Sequence, residues 1–214
     1  MKQYNLFDLK PIETKSYRAI RHDIVRKKQN SNSNEVHHPL QKINQIHKVL
    51  SEENKSNKIL ELFSGRGNLT KHYQKFGDVS CYDKKYKKTG DSFLVFHNLI
   101  FDKKKFNVID IDAYGFPNRF FPDIYLLIDN GYLFITMPKP SVNILNGITQ
   151  THLYSYFGVS NPCKNTIINQ IVLWGLCHWR KVELIDQIDL KSIWRFVFKV
   201  VKVKATEYTG VKNR

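Results

Sequence analysis

Four short apolar runs, separated by glycine turns and polar segments, restrict this chain more than any other feature. They are "KILELF" (58–63), "DVSCYD" (78–83), "FNVIDID" (106–112) and "GYLFITMP" (131–138). The runs are close to continuous rather than alternating, the pattern of strands buried on both faces of a mostly parallel sheet. Between and after them, "GNLTKHYQKF" (67–76) reads as a helix start with Asn68 as a candidate cap. "FLVF" (93–96) is a short apolar element. "RFFPDIYLLID" (119–129) reads as a helix with an early proline, and "KNTIINQIVLWGLCHWR" (164–180) as a long apolar helix. "KVELIDQI" (181–188) and "SIWRFVFKVVKV" (192–203) follow each other without a helix, so they are expected to pair antiparallel. This alternation implies a doubly wound α/β fold.

Residues 1–57 differ in texture. "RKKQNSNSNEVHH" (26–38) is polar and reads as a linker. In "LQKINQIHKVLS", Leu40, Ile43, Ile46, Val49 and Leu50 recur at helical spacing, as expected of a helix covering one face of the main domain. The expected organisation is an extension (1–57), a main domain (58–205) and a basic tail (206–214). A 214-residue chain that is 42% hydrophobic can bury one full core. No apolar run approaches the roughly 18 residues of a spanning helix, and the start carries no leader-like stretch. Three cysteines without disulfide or zinc spacing suit a reduced cytoplasmic setting, with no membrane partner. The histidines show no ligand pattern, so no metal is expected. The charge is more telling: 34 basic against 19 acidic residues give +15. A field of that sign attracts polyanions, nucleic acid first.

Chemistry concentrates at strand tips. In "ILELFSGRGNLT", Gly65 and Gly67 let a backbone pass close to a ligand at a helix start. The dinucleotide fingerprint is incomplete, because Thr70 stands at its third glycine and Glu61 lies inside the strand. Asp83 ends the second run, where a ribose would want an acceptor, and "GDSF" adds Asp91 beside Ser92. "KKYKK" (84–88), with Lys84, Lys85 and Tyr86, and "KKK" (103–105) read either as solvated charge or as phosphate contacts. Trp174, Trp179 and Trp194 are expected to pack in the core, as is Cys81.

These residues together resemble the class I S-adenosylmethionine (SAM)-dependent methyltransferases. By that resemblance Glu61, Phe63, Ser64, Gly65, Gly67 and Asn68 form the loop under the cofactor. Asp83 holds its ribose, Asp91 and Ser92 lie near its adenine, and Asp110 joins the cofactor set. The fold implied is α/β, a Rossmann-like, doubly wound, mostly parallel seven-stranded sheet with a C-terminal antiparallel strand pair.

"DIDAYGFP" (110–117) narrows the resemblance. In methyltransferases of base amino groups, the fourth strand ends in an acid followed by a tight aromatic turn. An exocyclic amine is a poor nucleophile, because its lone pair is delocalised into the ring. A carboxylate and a backbone carbonyl accepting its N–H bonds restore electron density, and an aromatic ring stacks on the base. Asp112, the carbonyl of Ala113 and the ring of Tyr114 can supply these parts, with Gly115 keeping the turn tight. Phe116, Pro117 and Arg119, with Lys84 and Lys85, are substrate-side candidates. The motif is similar to "DLDPYGSP" of the tRNA N2,N2-dimethylguanosine methyltransferases. "DNGYLFITM" (129–137), "ILNGITQTHLYSYFGVSNP" (144–162) and "SIWRFVFKVV" (192–201) look like later segments of that family in order. "AIRHDIV" (19–25) echoes an N-terminal segment, making Arg21 and Asp23 further candidates. Ala113 replaces the family proline, the glycine-turn wording differs, and the family's C-terminal tRNA-contacting domain has no counterpart before the chain ends. The resemblance implies SAM as cofactor and methyl transfer to guanine N2 of tRNA, RNA being favoured over DNA, with a partner subunit as a source of substrate recognition. A DNA methyltransferase of adenine N6 or cytosine N4 would use the same turn, with base flipping. A non-catalytic nucleic-acid binding module would keep the charge alone. Cytosine C5 chemistry needs a thiolate where Asn118 stands, and Cys163 is misplaced for it.

Overall fold

The computed structural model describes residues 39–51, 56–84, 90–113, 115–140, 150–190 and 192–204. Helix α1 (Pro39–Leu50) leads into β1 (Asn57–Leu62). A short α2 (Thr70–Tyr73), β2 (Gly77–Tyr82), α3 (Ser92–Phe101) and β3 (Phe106–Asp112) follow. Two 3-10 turns (Pro117–Phe120 and Asp123–Leu126) precede β4 (Ile128–Pro138). The chain then forms α4 (Gln150–Phe157), α5 (Lys164–Cys177), β5 (Arg180–Asp189) and β6 (Ile193–Lys202). The sheet runs β2-β1-β3-β4-β6-β5. The first four strands are parallel, and β6 runs antiparallel between β4 and β5.

The sheet has six strands among the described residues, not the expected seven. The short apolar element "FLVF" is the first half of α3. Asp91 sets that outcome, because its carboxylate accepts from Phe93 N and caps the first turn. The segment 119–129 is likewise not one helix. Proline at 122 has no N–H to give to a helical ladder, and the chain makes two 3-10 turns around it. α2 starts later than expected. Leu69 occupies its cap position without a side-chain bond, and Asn68 is exposed.

Strand alternation gives the two sheet faces different characters. Leu60, Leu62, Ile109, Ile111, Leu133, Ile135, Phe196 and Phe198 pack with residues of α3, α4 and α5 in the larger apolar core. The opposite face carries Ile59, Val108, Phe134 and Val197, covered by Ile46 and Leu50 of α1 and by Leu69 and Tyr73. α1 belongs to the same compact unit as the sheet. Leu40 does not join its apolar stripe and is 70% exposed. Of the three tryptophans, Trp194 is buried and Trp174 is half-buried and stacked on Phe121, but Trp179 is exposed.

Toward the carboxyl ends of the strands the α1-side face turns polar. Arg195 on β6 is fully buried, and its guanidinium donates to both carboxylate oxygens of Asp110 at 3.1 and 2.8 Å. It also donates to Thr136 Oγ1 at 2.6 Å and to Gln45 Oε1 of α1 at 3.1 Å. The Tyr73 hydroxyl donates to Asp110 at 2.8 Å. Burial disfavours the charged guanidinium, but Asp110 first and then Tyr73 and Asp112 raise its pKa above the usual value. Removing one member of a satisfied buried pair strands the other charge, at a cost of about 3–5 kcal/mol. Asp110→Ala is therefore expected to lower unfolding stability by roughly that amount in a denaturant titration. A loss below about 1 kcal/mol would mean that Arg195 finds water.

Candidate active site

From β1 the chain moves outward to β2, then returns to lay β3 on the other side of β1. That reversal is a switch point, and open parallel sheets hold ligands beyond the carboxyl ends of their strands at such a point. At those ends lie 63–67 after β1, Asp83 after β2, and 112, 113 and 115–117 after β3.

The first segment is under conformational tension. Phe63 has φ +66, in a region that side chains rarely adopt. Its ring packs edge-on against Phe120, with centroids 5.6 Å apart. Gly65 and Gly67 follow at φ +55 and +82, values only glycine takes readily. A Cβ at Gly65 would meet nothing within 4 Å, so open space lies against the backbone. Gly65 N donates to Asp83 Oδ2 at 2.9 Å, which ties this turn to the tip of β2. Ser64 is only 6% exposed, yet its buried hydroxyl has no hydrogen-bond partner among the described residues. An orphaned buried hydroxyl is costly and rare in native proteins. Next in sequence, Gly65 has open space against its backbone and its N–H on the Asp83 carboxylate, a set that fits a polar, ribose-bearing cofactor.

At the β3 tip, Asp112 has 20% of its side chain exposed. Lys42 of α1 donates to its two oxygens at 2.6 and 2.8 Å. Arg195 Nη1 lies 4.0 Å away. Burial works to raise the Asp112 carboxyl, but Lys42, then Arg195, outweigh it and hold the pKa below the ordinary value. Asp112 is thus an ionised acceptor with one open edge. Nothing in the sequence pattern singled out Lys42. Its signal is a charged residue inside the apolar stripe of an amphipathic helix, four and eight residues before the buried Ile46 and Leu50.

The other expected site residues divide. Ala113, Gly115 and Phe116 are half-buried at the rim, and the Phe116 ring sits edge-on to Phe157 at 5.3 Å. A Cβ at Gly115 would meet nothing within 4 Å, so open space lies beside it. Pro117 is buried, and Arg119 is exposed over the Phe93 ring at 5.7 Å. Asp110 is not a cofactor ligand: it is wholly buried and held by Arg195 and Tyr73. Glu61 is buried and accepts from the Thr70 hydroxyl at 2.6 Å. Asp91 does not follow a third strand of the sheet but caps α3, with Lys84 Nζ at 3.3 Å. Its pKa is lowered chiefly by the Phe93 backbone N–H. Ser92 is buried against Tyr82 O. Tyr114, Lys85, Tyr86, Arg21 and Asp23 lie outside the described residues. Asn118 is half-buried in the 3-10 turn after β3, while Cys163 is exposed at the start of α5. The Cys163 thiol is lowered chiefly by a side-chain hydrogen bond with Thr166. No helix among the described residues is long and apolar enough to cross a membrane.

No protein-family model matches the sequence, and no curated protein matches it significantly. Solved structures do match. Magnesium protoporphyrin IX methyltransferase from Synechocystis PCC 6803, solved with bound SAH, aligns at TM-score 0.52 and 13% identity, over 86% of this chain and 95% of its own. A chain classed with the SAM-dependent methyltransferases, from Streptococcus mutans, aligns at TM-score 0.50 and 12% identity over 74% of this chain. This chain spans about half of that protein, 48%. Trm1 from Pyrococcus horikoshii, in complex with S-adenosyl-L-methionine, aligns at TM-score 0.49 and 12% identity, over 77% of this chain and 56% of its own. The fold is that of the class I SAM-dependent methyltransferases.

The orphaned hydroxyl gives a direct test. An unsatisfied buried polar group costs about 1–3 kcal/mol. Ser64→Ala is expected to stabilise the ligand-free protein by about 1 kcal/mol in a denaturant titration. The same variant is expected to bind SAM more weakly by calorimetry. Equal destabilisation in both states would mean that the hydroxyl already has a partner.

Proposed function

We propose that this chain transfers the methyl group of SAM to an exocyclic amino group of a nucleic-acid base, guanine N2 in tRNA being the favoured target. The observation that carries this reading is Asp112. It is an ionised, partly open carboxylate at the tip of β3, across the switch-point crevice from the glycine cradle of β1.

Ser64, Gly65 and Gly67 would hold the cofactor from beneath, with Asp83 accepting from its ribose hydroxyls. Bound there, SAM supplies a methyl group from a sulfonium sulfur that leaves as a neutral thioether. Asp112 accepts one N–H bond of the target amine, and the Ala113 carbonyl accepts the other. These bonds turn the nitrogen lone pair toward the methyl, so the chain contributes position and charge rather than a covalent intermediate. Once the amine is methylated, Asp112 would take the extra proton that the cationic nitrogen carries and pass it to water. Phe116 and Phe157 form an aromatic wall beside this turn. The net charge of +15 suits a polyanionic substrate and sets this reading apart from methylation of a small neutral metabolite.

The test is transfer of labelled methyl from SAM to total tRNA and, in parallel, to DNA, with nucleoside analysis of the products. Label in N2-methylguanosine is the expected result, and label in DNA would move the same chemistry to another substrate. Asp112→Ala should abolish transfer and leave SAM affinity within a few-fold. Asp83→Ala should instead weaken SAM binding. Activity surviving in the Asp112 variant would overturn the role given to this turn.

A further inference from the structure

Lys42 is a lysine where packing alone would select an apolar side chain. It is 4% exposed, on the stripe of α1 that continues through Ile46 and Leu50 into the core. Burying an ammonium is costly unless it is paired with good geometry. Its Nζ contacts both oxygens of Asp112, at 2.6 and 2.8 Å, across 70 residues of sequence. We propose that Lys42 is the positioning residue of the methyl-transfer site, holding the Asp112 carboxylate in one orientation with its remaining acceptor capacity turned toward the crevice. This rests on the reading of Asp112 as the acceptor of the target amine.

The surroundings explain why one residue can do this. Asp112 is met by Lys42 from α1, by Arg195 from β6 at 4.0 Å, and by the Thr136 hydroxyl from β4. Asp110, on the same face of β3, is already engaged by Arg195 and Tyr73. Arg195 is therefore committed to Asp110, and Lys42 is the cation whose contacts go to Asp112. A carboxylate offers roughly four lone-pair directions. With both oxygens held from the α1 side, the free directions lie at the exposed edge. Lys42 also keeps the group ionised against the burial that would protonate it. An ionised Asp112 polarises the amine, accepts its proton after transfer, and releases that proton readily.

The sign of the pH effect follows. In the wild-type protein Asp112 stays charged below the usual carboxylate range, so transfer should fall off only at low pH. Without Lys42 the burial effect is less opposed, and the acid limb should move to higher pH. The experiment compares wild type, Lys42→Met, Lys42→Gln, Lys42→Arg and Asp112→Asn. The measurements are SAM binding, single-turnover transfer to tRNA across pH, and a carbon-13 NMR titration of the Asp112 carboxyl. The last needs no substrate. Lys42→Met and Lys42→Gln are expected to bind SAM within about twofold and lose about tenfold or more in transfer rate at neutral pH. Their acid limb and carboxyl titration should rise together, and Lys42→Arg should recover part of both. An unchanged carboxyl titration in a folded variant overturns the proposal, as does a rate loss that only mirrors lost SAM binding. Wild-type activity in Asp112→Asn overturns the reading of Asp112 itself, whatever the lysine variants do.

Discussion

The buried ion pair between Arg195 and Asp110 is the contact on which the rest of the site depends. It joins β6 to β3 across β4, and Thr136 of β4 accepts from the same guanidinium. Through Gln45 it reaches α1, and through Tyr73 it reaches the short helix after the glycine turn. One side chain thus fixes the lateral positions of three strands and two helices. Such a pair adds little net stability against an apolar equivalent. What it adds is a single arrangement, since any slip in register would leave a buried charge without its partner. Asp112, two residues beyond Asp110 on the same face, inherits that fixed position.

The site then follows from the direction of the strands. Parallel strands place their carboxyl ends on one rim, and the reversal from β2 to β3 leaves a crevice there. The left-handed backbone at Phe63 and Gly65 lets the chain turn sharply out of β1 and face that crevice. Asp83 secures the turn through Gly65 N. Rigid groups on strand ends hold their geometry better than groups on loops. That suits a reaction in which the protein contributes orientation.

Much of this was legible in the sequence. The continuous apolar runs announced parallel strands, and the two final runs without a helix between them announced the antiparallel pair. "SGRG" and "DIDA" fell at strand tips, where the structure places them. The failures have physical reasons. "FLVF" reads only as a short apolar element, because composition does not weigh the helix cap that the Asp91 carboxylate supplies. Asp110 looked like a crevice acid because alternation puts it on the same face as Asp112; only its complete burial against Arg195 and Tyr73 separates their roles. Lys42 was hidden because its partner lies 70 positions away, and local spacing says nothing of that distance.

The same burial clarifies the charge. Asp91, Asp110, Asp112, Asp129, Asp186 and Asp189 each meet a lysine or arginine within 4.0 Å. Those six acids meet nine lysines and arginines, so the ion-pair networks keep only a small positive balance of their own. Most of the excess of +15 therefore lies outside them, on side chains such as the exposed Arg66, Lys103, Lys104 and Arg119. Arg66 is in the glycine turn itself, and Arg119 follows the β3 turn. Positive charge at the rim and an anionic carboxylate set within it divide the work in the proposed reaction. On that proposal the outer field would draw a phosphate backbone toward the strand ends, and the inner carboxylate would select an N–H donor once a base is there.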